Sequence, residues 1–136
     1  MQKNKRGFTS IEIMIVLVIS SILLIIFAVS RKSQIRAAYL READVLINDI
    51  VNKQKLAYEA KNISHFSDVT SVDGFVEIGA GVTVDARRYL YFRDFKTVEA
   101  TTSTFKIYVY GKDNTEANGV TIQAKYENGQ IVPIVN

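Results

Sequence analysis

The apolar residues divide the chain into two parts that follow different periods. The first part is a continuous run, Ile11–Val29, and Ile13–Val29 contains no charged residue. As an α-helix that rises about 1.5 Å per residue, these 19 residues would span about 28 Å, close to the hydrocarbon thickness of a bilayer. A lone segment in lipid must satisfy its own backbone hydrogen bonds. We therefore expect a membrane-spanning helix at about residues 11–29.

Behind this run, apolar residues recur at steps of three, four or seven, which predicts one face of a continuing helix. No Pro or Gly occurs between Phe8 and Asn62, so one helix over residues 8–62 is predicted, half in lipid and half in water. We expect its apolar stripe to pack on a sheet of the same chain rather than in a partner's groove. The stripe comprises Ile35, Tyr39, Ala43, Leu46, Ile50 and Ala57, widened by Ile47, Val51 and Tyr58.

From residue 63 onward the helical period ends, and after a polar loop over residues 63–74 the period becomes two. Asn128-Gly129 predicts a tight hairpin turn, and Pro133 fits an edge strand. The fold class is therefore predicted to be α+β, with a long N-terminal helix packed against a small antiparallel sheet that ends in a three-stranded meander. The strand-like segments are Phe75–Ile78, Val82–Val84, Tyr89–Phe95, Phe105–Tyr110, Val120–Tyr126 and Gln130–Val135.

The composition leaves little material for catalysis. The chain has no Cys and a single His, His65, which excludes disulfides and thiol chemistry. No nucleophile, acid/base or metal constellation stands out. We therefore expect a protein that is not an enzyme and needs no cofactor.

The net charge of +3 comes entirely from the first seven residues, which carry Lys3, Lys5, Arg6 and no acid. Residues 63–136 carry seven basic and nine acidic side chains, which argues against a head that binds nucleic acid. A cluster of basic and aromatic residues could nevertheless contact single-stranded DNA by stacking. Interspersed acids favour ordinary sheet packing for this cluster, which comprises Arg87, Arg88, Arg93 and Lys96 with Tyr89, Tyr91 and Phe92.

A second candidate site precedes Gly119. Its polar residues alternate as in the front of a calcium loop. The twelfth position of such a loop would be Lys125 instead of a carboxylate, so a solvated hairpin loop is the ordinary interpretation. The metal-ligand candidates are Asp113, Asn114, Glu116 and Asn118.

Glu12 is the unusual residue of the apolar run, because an ionisable group at the edge of a membrane helix is by default functional. A secretory signal peptide should have a shorter core and a small-x-small cleavage site, which Phe27–Arg31 does not provide. An uncleaved signal anchor does not explain Glu12. If the chain were cut after Gly7, the new amine of Phe8 would lie one helical turn before Glu12. That pair, within one chain or between chains, would favour lateral assembly in a fixed register.

The residues Gly7-Phe8-Thr9-Ser10-Ile11-Glu12, with the basic leader before them, resemble the class III signal of type IV pilins and of the pseudopilins of type II secretion. The resemblance covers about the first 30 residues. It implies that a prepilin peptidase cuts between Gly7 and Phe8 and N-methylates Phe8. It also implies that Glu12 is the registering acid of the filament. The resulting organisation is a leader over residues 1–7, the helix over 8–62 and a globular pilin-like head over 63–136.

The function that the resemblance implies is a structural subunit of a type IV pilus-like filament. The expected partners are further copies of the chain through their N-terminal helices, the peptidase, an assembly ATPase and an inner-membrane platform protein. The subunit would wait in the inner membrane and then enter an extracellular or periplasmic filament. Many members of the family carry Gly at the position of Ser21 and Pro at that of Val29, and this difference keeps a pseudopilin or a DNA-uptake minor pilin open. An anchored binding domain that is never cleaved is the remaining alternative.

Overall fold

The structure, a computed structural model, describes residues 7–60 and 65–134. A single helix, α1, runs over Ser10–Glu59, and the chain divides into two compact units between Arg36 and Ala37. The expected leader residues 1–6 and the expected helix end at 61–62 lie outside the described residues.

The first unit contains the beginning of α1. Every side chain from Gly7 to Gln34 is exposed, and the large apolar side chains of Ile11–Val29 are 52–68% exposed. The helix is long and apolar enough here to cross a membrane. No residue in the described ranges 7–60 and 65–134 buries this apolar surface, which is therefore open to lipid or to another chain.

The second unit contains the rest of α1 and seven strands. The strands are β1 (Val69–Thr70), β2 (Phe75–Gly79), β3 (Val82–Asp85), β4 (Phe92–Val98), β5 (Thr104–Gly111), β6 (Thr121–Glu127) and β7 (Gln130–Pro133). A five-stranded sheet has the order β1-β4-β5-β6-β7, and β2 and β3 form a separate hairpin. All the pairings are antiparallel. The α+β prediction is confirmed, as are the C-terminal meander and the edge position of Pro133.

The core lies between the apolar stripe of α1 and the inner face of the five-stranded sheet. Side chains alternate between the two faces of each strand, and β5 buries Phe105, Ile107 and Val109 while the residues between them stay partly exposed. The stripe therefore packs on the chain's own sheet, as expected. The fully or almost fully buried residues of α1 are Ala43, Leu46, Ile47, Ile50, Val51, Gln54 and Ala57.

Two features of the strands differ from the prediction. The strand predicted to begin at Tyr89 begins at Phe92 in the structure. The reason is that the amides of Leu90, Tyr91 and Phe92 donate to the carboxylate of Glu42 on α1, at 3.1, 2.6 and 3.2 Å. These amides are thus held by a side chain instead of a neighbouring strand. The loop predicted at 63–74 contains the short strand β1, which pairs with β4.

A buried polar network joins α1 to the sheet near the end of the helix. Gln54 is fully buried; its Nε2 donates to the Ser67 carbonyl at 2.8 Å and its Oε1 accepts from the Ser67 amide at 3.1 Å. The Thr97 hydroxyl donates to the same carbonyl at 2.8 Å. Buried polar groups are costly unless they are satisfied, so this network specifies one register of the helix on the sheet. A polar residue at a stripe position, i+4 from Ile50, is the sequence signal that could have revealed it.

Candidate processing and assembly site

The bond between Gly7 and Phe8 lies in non-helical backbone just before α1. Phe8 is 81% exposed. A Cβ atom added to Gly7 would meet no atom within 4 Å, and Gly7 does not have the positive φ that favours glycine. The fold of this chain therefore does not require glycine at position 7. A requirement for glycine at position 7 would therefore come from another molecule that binds this segment.

Glu12 and Thr9 form a reciprocal capping box at the start of α1. The Thr9 amide donates to Glu12 Oε2 at 2.7 Å, and the Glu12 amide donates to Thr9 Oγ1 at 3.3 Å. The Thr9 hydroxyl also donates to Oε2 at 2.9 Å. This arrangement satisfies two of the amides that a helix start leaves without partners. Thr9 is thus the N-cap residue, and Ser10 is the first residue of α1.

The capping box gives Glu12 a role within its own chain that the sequence analysis missed. The signal was present, since Thr9-x-x-Glu12 immediately before an apolar run is a capping pattern. A carboxylate at this position also complements the positive end of the helix dipole. The negative charge of Glu12 is thus stabilised within its own chain, whether or not a partner is bound.

The same geometry leaves part of the carboxylate available. Both hydrogen bonds from Thr9 end on Oε2, and no hydrogen bond among the described residues reaches Oε1 of Glu12. A carboxylate offers about four lone-pair sites. Glu12 can therefore keep its cap and accept a further donor, such as an amine from the same chain or a neighbouring one.

A family model for the prokaryotic N-terminal methylation motif matches residues 2–28. This chain carries that motif. The motif is the hallmark of type IV pilins and pseudopilins, and it implies processing by a prepilin peptidase and insertion in a membrane. The long apolar helix over the same residues fits anchoring in the inner membrane. No curated protein and no solved structure matches the chain significantly. The motif supports a precursor of the pilin type, and it does not distinguish a pilus from a secretion pseudopilus.

The metal-ligand candidates all lie in the loop between β5 and β6. Asp113, Asn114, Glu116 and Asn118 are all exposed. Backbone hydrogen bonds, including Val120 N–H to the Ala117 carbonyl at 2.9 Å, close the loop. Over residues 7–60 and 65–134, no group of three or more His, Cys, Asp and Glu could hold a metal ion.

The basic and aromatic candidates for nucleic acid are dispersed by the fold. Phe92 is fully buried, and Tyr89 and Tyr91 pack against the core. Arg87 binds Asp85, and Arg93 binds Asp73, each at 2.8 Å. The Lys96 ammonium lies over the rings of Tyr108 and Tyr110. These aromatic rings therefore do not form the exposed stacking platform that single-stranded nucleic acid needs.

Proposed function

We propose that this protein is a structural subunit of a type IV pilus-like filament, cut between Gly7 and Phe8 and N-methylated on Phe8. The observation that carries the proposal is the methylation motif on a helix whose first 25 residues, Ser10–Gln34, are exposed throughout. A peptidase would find the Gly7–Phe8 bond in accessible, non-helical backbone. An assembly ATPase and a membrane platform protein would supply the work of extraction.

The apolar surface of the first unit would serve twice. Before assembly it faces lipid, and in the filament it faces the equivalent helices of other copies. Because apolar surface stays out of water in both states, transfer between them costs little hydrophobic free energy. Packing between helices and polar contacts must then select the assembled state.

Glu12 would supply the polar contact that sets the register. Its Oε2 remains in the capping box, and its Oε1 accepts the N-methylated amine of Phe8 from the same or a neighbouring chain. In a low-dielectric setting, a charge that lacks its partner strongly destabilises the assembly. Misaligned copies would therefore be disfavoured during assembly.

Intact-mass analysis of the protein purified from membranes tests the processing step. We expect the mass of residues 8–136 plus one methyl group. The variant Gly7→Ala should keep the capping box and the fold, since no described residue lies within 4 Å of the added methyl group. It should be processed about tenfold more slowly or worse, because overpacking a close-fitting pocket costs about 1–3 kcal/mol. An intact leader in the unsubstituted protein would reject the proposal in favour of an uncleaved anchored domain.

A second experiment separates the two roles of Glu12. Glutamine can replace glutamate in a capping box, so Glu12→Gln should retain the helix start and the processing while removing the charge. We expect normal membrane insertion and cleavage with loss of filaments seen by electron microscopy. Filaments of normal abundance would show that the charge of Glu12 does not set the register.

A type II secretion pseudopilin is the second candidate, and the unbroken helix favours keeping it. The structure has a continuous α1 through Ser21 and Val29, where many members of the family carry Gly and Pro. Deletion of the gene separates the two functions. Loss of surface filaments with normal protein export supports the pilus subunit, and loss of export supports the pseudopilin.

A further inference from the structure

We propose that three cations just beyond the apolar run bind the phosphates of anionic lipid head groups. These juxtamembrane cations are Arg31, Lys32 and Arg36, all exposed on α1 in the first unit. The inference rests on the membrane insertion included in the proposed function. It adds a lipid class that the inserted subunit prefers and the residues that select it.

The juxtamembrane cations lie in a stretch without any acid. No Asp or Glu occurs between Glu12 and Glu42, and the carboxylate of Glu42 is occupied by three backbone amides. Described Lys and Arg side chains that form ion pairs with carboxylates are Arg87, Arg93, Lys106 and Lys125, all in the second unit. The three positive charges are therefore not compensated within the first unit.

Their spacing from the apolar run matches the depth of a head-group layer. At about 1.5 Å per residue, Arg31 and Lys32 lie about 3–5 Å beyond Val29, and Arg36 lies about 10 Å beyond it. A bilayer has a head-group layer of roughly 5–7 Å on each side of its hydrocarbon core. The backbone of the first two residues thus falls inside that layer, and that of Arg36 lies roughly 3–5 Å beyond it.

The side chains lean back toward the membrane. In an α-helix the Cα–Cβ bonds tilt toward the N-terminus, which here is the direction of the apolar run. Arg31 shows this directly, because its guanidinium lies 5.8 Å from the centre of the Phe27 ring. Arg36 can use the same tilt to reach the layer from about one turn farther out. Ser30 and Gln34 extend the polar surface between these cations and are joined by a hydrogen bond of 3.4 Å.

Processing would increase the importance of this cluster. Cleavage after Gly7 removes the basic side chains Lys3, Lys5 and Arg6 and leaves the amine of Phe8, which the proposed function pairs with Glu12. The basic side chains that flank the membrane segment of the processed subunit are then all on the side of Arg31. Anionic lipids in that leaflet would gain the favourable interaction that basic residues make with a negative membrane surface.

Lipid quenching can test the preference, because the chain contains no Trp. The variant Phe27→Trp places a single fluorophore beside Arg31. The full chain carrying this change is reconstituted in vesicles of equal parts phosphatidylcholine and phosphatidylglycerol, with one or the other lipid brominated. We expect brominated phosphatidylglycerol to quench more strongly, with a preference of about fivefold at low salt that shrinks at high salt.

Charge removal supplies the matched comparison in the same Phe27→Trp chain. Arg31→Gln, Lys32→Gln and Arg36→Gln together should reduce the preference to near one. Arg41→Gln, Lys53→Gln and Arg88→Gln remove the same charge from the second unit and should leave the preference unchanged. A parent protein quenched equally by both lipids, as expected if a second copy's carboxylates occupied the cations, would overturn the inference. So would an equal loss in the two triple variants.

The fluorescence spectrum keeps this result distinct from the proposed function. An emission maximum typical of an indole in water would show that residue 27 does not reach the bilayer, and membrane insertion itself would fail. Emission typical of an apolar environment without a lipid preference would overturn only the lipid inference.

Discussion

The two units of this protein contain the same kind of residue in opposite surroundings, within one helix. Leu23 is 60% exposed, and Leu46 is fully buried. Both are leucines of α1, and neither is adjacent to a residue that breaks a helix. The difference lies in what the sequence supplies elsewhere: the strands β4, β5 and β6 cover the second part of the helix, and no described residue covers the first. The apolar surface of α1 is therefore buried within the chain only in the second unit.

The polar contacts of the two units differ in the same way. In the second unit, Glu42 and Gln54 join α1 to segments more than ten residues away. In the first unit, the hydrogen bonds of Thr9, Ser21 and Gln34 reach only three or four residues along the helix. The second unit is thus specified by long-range contacts, whereas the first is specified only as a helix. The lateral partners of the first unit can therefore change, which is what the proposed transfer from lipid to a filament would require.

The largest expected effect is the difference in stability between two Leu→Ala variants, one in each unit. Leu46→Ala removes a fully buried side chain and should lower the free energy of unfolding of the second unit by about 2–5 kcal/mol. Its melting temperature should fall by about 10 °C or more. Leu23→Ala should change the free energy of unfolding by less than about 0.5 kcal/mol, because its side chain is exposed. Near-ultraviolet circular dichroism in micelles measures both variants.

Tyrosine makes that measurement specific to the second unit. All seven tyrosines lie at or after Tyr39, and the chain has no Trp. A similar loss of stability in both variants would mean that the first part of α1 also packs on the sheet, and the contrast between the units would be wrong.

A smaller effect is expected at the carboxylate that caps the start of β4. Glu42→Gln keeps the size of the side chain but replaces one acceptor oxygen by a donor that faces backbone amides. Hydrogen bonds to charged groups contribute about 1.5–3 kcal/mol, so we expect a loss of about 2 kcal/mol in urea unfolding. Asp44→Asn, an exposed change on the same helix, should stay within about 0.5 kcal/mol. Equal stability of the two variants would remove Glu42 from the contacts that specify the second unit.

The sequence predicted the features that depend on local periodicity. The helical stripe, the meander around Asn128-Gly129 and the edge position of Pro133 all follow from neighbours within a few residues. The start of β4 could not be predicted, because Glu42 acts on it from 48 to 50 residues away. The burial of Gln54 depends likewise on Thr97 in a distant strand. At the candidate site, the capping pattern of Thr9 and Glu12 is local and could have been predicted.

A local effect is expected at the start of the first unit. Thr9→Ala removes the hydroxyl that caps α1, which costs about 1 kcal/mol of helix stability at that end. The amides of Glu12 and Ile13, which donate to the Thr9 hydroxyl and the Thr9 carbonyl, should exchange with deuterium about fivefold faster. Thr9→Ser retains a capping hydroxyl and should restore most of the protection. The tyrosine signal of the second unit should not change in either variant, and a change there would show that the helix start is coupled to the core.

The smallest expected effect is a pH dependence at the surface of the second unit. Arg87 donates to both carboxylate oxygens of Asp85 at 2.8 Å, and these hydrogen bonds hold the pKa of Asp85 well below its ordinary value of 3.8. A depressed pKa in the folded state contributes stability above the ordinary value, and that contribution is lost as the pH falls through the folded pKa. Both side chains are accessible to solvent, so screening keeps the effect small.

Asp85→Asn should therefore be slightly less stable than the parent at neutral pH, and the difference should shrink steadily as the pH falls below about 4. High salt should reduce the difference at neutral pH. A difference that stays constant from neutral to acid pH would mean that the substitution acts through the turn after β3, where Asp85 also accepts the Arg87 amide at 3.1 Å, and not through the charge of the carboxylate.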